Sequence, residues 1–150
     1  MGKEESFLFI RGHLYLEALL GEIILRSYPE PQALNDISVM FYRKVKLVRA
    51  VGRLTTEMED LLLSINTLRN KIAHKLDFGL DFDSVYELIL KAHKADIDFS
   101  DDMIYLNKDE SMKNYGIDLS ITELMSNTFS ELIYSNEDLF SQDDISRFLC

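Results

Sequence analysis

Turn residues are scarce in this chain. Its 150 residues include only 2 Pro and 6 Gly, so the backbone has few places to reverse and must lie mostly in long regular elements. The apolar residues recur at helical spacing, as in Leu61, Ile65, Leu68 and Ile72 at i, i+4, i+7 and i+11. Long elements of that period joined by short turns predict an all-α fold, an antiparallel bundle of four to five helices. Hydrophobic residues make up 47% of the chain, enough for one domain of this size to bury a core and too many for a disordered segment.

The first helix is expected from Ser6 to about Ser27, where Tyr28-Pro29-Glu30-Pro31 ends it, because Pro disfavours helix at itself and at the preceding residue. Asn35 or Asp36 can cap a second helix running to about Arg53. Thr55 to Glu59 supply cap residues and first-turn acids for a third, and Phe82 to about Ala95 form a fourth after a loop over Lys75–Asp83. These elements make a core over residues 4–95, followed by a C-terminal extension over 96–150. Within the extension, Met103–Asn107 and Tyr115–Leu119 flank the turn-like Lys108-Asp109-Glu110-Ser111 and suggest a small β-hairpin. Ser120-Ile121-Thr122-Glu123 has capping-box spacing and opens a last helix; Asp138–Cys150 is expected to be a short helical turn or a frayed tail.

The formal net charge of -10 argues against nucleic acid until it is divided along the chain. Residues 43–75 hold eight basic residues against three acidic ones, whereas 96–150 hold three against thirteen. Phosphate responds to the local field, so Arg43, Lys46, Arg49 and Arg53 on the second helix are candidate RNA-backbone contacts, with an ordinary solvated face as the competing reading. No apolar run approaches the length needed to span a bilayer and the N-terminus lacks a basic-then-apolar leader, which predicts a cytoplasmic protein without membrane contact. The lone Cys150 can form neither an internal disulfide nor a zinc site and is expected to be inert.

Chemistry concentrates in Arg69-Asn70-Lys71-Ile72-Ala73-His74, where a permanent cation, an amide and an imidazole fall within one stretch at the end of the third helix. On an ideal helix Asn70 and His74 share a face, and Arg69 lies to one side of them. The stretch resembles the R-x4-6-H signature of the HEPN superfamily, with Asn70 as the polar residue that family favours after the Arg. The resemblance extends upstream through Phe41-Tyr42-Arg43-Lys44-Val45-Lys46-Leu47-Val48-Arg49-Ala50-Val51-Gly52-Arg53-Leu54, Asp60, and Arg11-Gly12 with Glu17 and Leu20. In that order it is similar to the mannitol operon repressor family and related helical domains, over roughly residues 7–93. One departure is Leu76, which stands where a HEPN toxin group carries a modifiable Tyr, so control by such modification is not expected.

The HEPN resemblance implies a metal-independent endoribonuclease, a toxin or anti-phage defence component, acting as a homodimer that brings two motifs across one groove. The residues suit that chemistry. An imidazole near its ordinary pKa can move protons at cellular pH, which suits His74; a guanidinium grips phosphoryl oxygens through a planar fork, which suits Arg69; and Asn70 can orient either group or the sugar. His13, Glu17 and Lys71 are candidate supporting polar residues. His13 and Glu17, at i and i+4, would make only half a metal site, with His74 and His93 the sole remaining imidazoles, and no metal or cofactor is expected. The competing reading is structural: Arg69 pairs with a carboxylate such as Glu17, and His74 caps helix carbonyls. The mannitol-repressor resemblance correspondingly implies a noncatalytic transcriptional regulator that works through a protein partner, and in a toxin that partner would be an antitoxin.

Overall fold

Among the described residues, thirty apolar side chains drawn from both halves of the sequence share one continuous core. In the computed structural model, residues 3–75 and 79–149 are described, so Leu76 and Cys150 lie outside the described residues. The helices are α1 (Lys3–Ser27), α2 (Phe41–Ala50), α3 (Thr56–His74), α4 (Phe82–Lys94), α5 (Met103–Leu106), α6 (Lys108–Asn114), α7 (Gly116–Ser135) and α8 (Gln142–Leu149), with 3-10 turns at Pro31–Leu34 and Glu137–Leu139. No described helix is long and apolar enough to cross a membrane. Leu16, Leu20 and Ile23 of α1, Leu61 and Ile65 of α3, and Ile89 of α4 meet Ile121, Leu124 and Leu132 of α7 in this core. The segment 96–150 is therefore an integral part of it.

Side-chain caps explain several helix starts, although the expected capping box at Ser120 lies inside α7, which begins at Gly116. Thr55 accepts a hydrogen bond from the Met58 amide at 3.1 Å and starts α3, and Asp81 accepts from Ser84 at 2.8 Å and starts α4. The second helix begins later than expected, at Phe41. Pro31 begins a 3-10 turn, Asn35 and Asp36 follow it, and the side chain of Met40 caps nothing. The suggested hairpin over 103–119 is instead helical. Asn107 accepts from the Glu110 amide at 3.1 Å, which makes it the N-cap of α6, and Asp101 accepts from Met103 at 3.0 Å beside the start of α5. The turn-like Lys108-Asp109-Glu110-Ser111 thus forms the body of α6, and Asn107, expected at the end of a strand, is its cap.

Residue pairs fix the helix directions. Lys46 meets Glu59 and Arg49 meets Thr56, so α3 runs antiparallel to α2; Lys91 meets Asp60, so α4 runs antiparallel to α3. The antiparallel expectation stops there. Along α1, His13 stacks on Phe41 and Tyr28 donates to the Leu47 carbonyl at 2.5 Å, so α2 follows the direction of α1. Gly12 lies against Met125, and Arg26 reaches the Leu139 carbonyl, so α7 does the same. The segments 28–40 and 95–115 are long enough to return the chain across the bundle. As a result α1, α2, α4 and α7 share one direction and only α3 among the long helices opposes them.

Candidate functional site

The end of α3 carries the motif, and helical geometry divides its members between two environments. Leu61, Leu62, Ile65 and Leu68 hold one face of α3 in the core. Asn70, Lys71 and His74 fall on the other side and are exposed, while Arg69 is half-buried between them. Asn70 and His74 therefore share an open face, as their spacing requires, and Arg69 stands beside it. Arg69 Nη1 lies 3.4 Å from Asn70 Oδ1, which links cation and amide at the surface. No carboxylate pairs with Arg69 among the described residues, Glu17 included. Its Nε is buried without a hydrogen-bond partner.

Behind Arg69 lies a buried polar group that α1, α2 and α3 assemble together. His13 is 3% exposed, its Nε2 is 3.0 Å from Asn66 Oδ1, and its ring stacks on Phe41 with centroids 4.1 Å apart. That contact makes Nε2 the protonated nitrogen, because the amide oxygen can only accept, and leaves Nδ1 as an acceptor without a partner. Burial lowers the His13 pKa below its ordinary value; the Asn66 contact opposes this, the Arg69 charge adds to it, and Glu17 opposes it. His13 is thus a neutral imidazole beside a cation. Of the candidate supporting residues, His13 and Glu17 lie close to Arg69 or to each other, whereas Lys71 points into solvent. Asn66 was not singled out from sequence, and Phe41 was read only as part of the second helix, not as a partner of His13. Asn66 had a signal, one turn before Arg69 on the same helix, but its partner lies 53 residues away.

The second-helix cations are placed differently from the motif. Lys46 and Arg49 both reach Glu59, at 3.1 and 3.8 Å, and Arg53 pairs with Asp138 at 2.7 Å. Arg43 lies 3.4 Å from the Ser38 carbonyl, a neutral partner. Glu59 and His74 stand at opposite ends of α3, about 22 Å apart at 1.5 Å per residue. Lys46, Arg49 and Arg53 therefore lie away from the motif, whereas Arg43, near the start of α2 where Phe41 stacks on His13, lies toward it; acids from α3 and the C-terminal segment partly neutralise the stripe. No group of three or more His, Cys, Asp or Glu suited to a metal ion occurs among the described residues.

Compared with profiles of known protein families, with curated proteins and with solved structures, the chain matches none.

Proposed function

We propose that this chain is a metal-independent endoribonuclease of HEPN type, a toxin or defence component acting as a homodimer. The observation that carries this reading is that Arg69 has no carboxylate partner among the described residues and stands beside an exposed Asn70 and His74. A purely structural arginine at a bundle end is expected to pair, and a structural histidine to be enclosed. In the proposed reaction the RNA 2'-oxygen attacks the adjacent phosphorus and its proton passes to an imidazole. The P–O5' bond breaks as that oxygen takes a proton, leaving a 2',3'-cyclic phosphate and a 5'-hydroxyl. Arg69 stabilises the extra charge on the phosphoryl oxygens. One chain supplies a single exposed imidazole in the motif, so separate acid and base require His74 from two copies.

A second reading, a noncatalytic regulator that binds a protein, is favoured by a different observation. Three of the four stripe cations are already paired with acids, while Phe7, Leu14, Ile37 and Met40 are exposed. Incubating the purified protein with single-stranded and structured RNAs in EDTA separates the two. Cyclic-phosphate products support the nuclease. Uncut RNA, together with equal recovery of one stoichiometric protein partner by wild type and an Arg69→Ala/His74→Ala variant, supports the regulator.

A further inference from the structure

Away from the motif, the carboxyl ends of three helices meet around one cleft of about 320 Å³. Its lining includes Gly52 and Arg53 just past α2, Ala95 and Asp96 just past α4, and Glu131, Ser135 and Asn136 at the end of α7. Helix carboxyl ends carry partial negative charge, so these three favour a cation here, opposed by the amino end of α3 at Thr55 and Met58, which lines the same cleft. The side chains act in the same sense. Asp96 is the only described non-glycine residue with positive φ, at 62°, and it closes α4 through the Ile97 amide donating to the Ala92 carbonyl at 3.0 Å. Glycine or asparagine normally fills such a position, and an acid is disfavoured at a helix carboxyl end. Glu131 on α7 is raised in pKa by burial and then by the charges of Asp96 and Asp98, which places three carboxylates within electrostatic reach of one another. None of the three has an ion-pair partner among the described residues. Arg53, the cation in the lining, is engaged by Asp138 at 2.7 Å.

An independent observation points to a ligand. Asn136, wholly buried, lies in the floor of the cleft. Its amide donates to the Leu132 carbonyl at 2.8 Å and to Ser135 Oγ at 3.3 Å, while its Oδ1 has no donor. Buried acceptors are nearly always paired, so this oxygen lacks an N–H. Leu54, Met58 and Ala95 add an apolar wall suited to a methylene chain. The described residues offer no cluster of three metal-ligating side chains, and a hydrated divalent cation would make no use of the apolar wall.

We infer that this cleft binds a primary alkylammonium group, its N–H donors directed at Asp96, Glu131 and the Asn136 amide oxygen and its methylenes lying on Leu54 and Met58. The site is separate from Arg69 and His74 and does not depend on the nuclease reading.

Calorimetric titration of the full chain with cadaverine, an acetylated lysine amide, tetramethylammonium and Mg²⁺ tests it. Saturable one-to-one binding of an amine is expected, weakened about tenfold or more by Asp96→Asn or Glu131→Gln and unchanged by His74→Ala. Asparagine tolerates the left-handed backbone at 96, so that variant keeps the fold even if the half-buried substitution at 131 does not. Tighter binding of the lysine amide assigns the ammonium to a protein partner, and tighter binding of cadaverine to a free diamine. No saturable binding at millimolar amine, equal binding by both carboxamide variants, or equal binding of tetramethylammonium or Mg²⁺ overturns the inference.

Discussion

His13 and His74 illustrate how one residue type serves two ends in this molecule. His13 is enclosed, neutral and fixed by Asn66, whereas His74 is open to solvent on the face it shares with Asn70. The lowered pKa of His13 has a measurable consequence. The unfolded imidazole takes up a proton near its ordinary value of about 6.5, while the folded one resists until a lower pH. Between those two values the unfolded state holds more protons, so stability is intact above about pH 6.5 and falls as the pH descends through that window. Urea titrations at stepped pH should show a steeper loss for wild type than for His13→Gln; parallel curves would mean that His13 titrates normally. The placement of Asn70 and His74 on one open face with Arg69 beside it was legible from their spacing, because i to i+4 geometry belongs to the helix itself. The polar contact behind them was not, since a hydrogen bond between His13 and Asn66 depends on tertiary packing that no local pattern encodes.

Packing between elements sets the next level of constraint. Gly12 of α1 lets α7 approach so closely that an added Cβ would collide with the Met125 side chain. Gly12→Ala gains about 1 kcal/mol of helix propensity but loses about 1–3 kcal/mol to overpacking, so denaturant melts should show net destabilisation of about 1 kcal/mol; an unchanged or raised midpoint would show that α7 can shift freely. At the other end of the same pair, Arg26 holds the C-terminal segment through Asp144 at 3.1 Å and the Phe140 ring at 4.9 Å. Such exposed contacts contribute about 1 kcal/mol or less each. Arg26→Ala should therefore speed amide exchange over residues 142–149 while leaving the melting temperature almost unchanged, and exchange identical to wild type would assign the anchoring to Ile145 and Phe148 alone. The long helices were legible because an apolar period of 3.6 persists over many residues. The short α5 and α6 were not: four to seven residues are too few to separate helix from strand by period, and Asn107 looks equally at home in a turn or a cap.

For the whole molecule, the charge segregation seen in the sequence becomes contact between the basic and acidic segments where Arg53 meets Asp138, and Arg26 of α1 adds a second tie to Asp144. The acidic C-terminal region thus lies on part of the basic surface. If RNA uses that surface, Asp138→Asn should free Arg53, raise RNA affinity and steepen its salt dependence by about one counterion; unchanged affinity and slope would leave the stripe without a role in RNA binding. The helix directions could not be read from sequence, since a connecting segment of the length of 28–40 can either cross a bundle or merely join neighbours, and only packing decides. The proposed nuclease function requires Arg69 and His74 to cleave RNA without a metal. The measurement that bears on it most directly is the cleavage rate in EDTA of wild type, Arg69→Ala and His74→Ala, with circular dichroism to verify each fold. The account predicts cleavage by wild type and a loss of about 100-fold or more in each variant; intact RNA with wild type, or undiminished cleavage by folded His74→Ala, would contradict it.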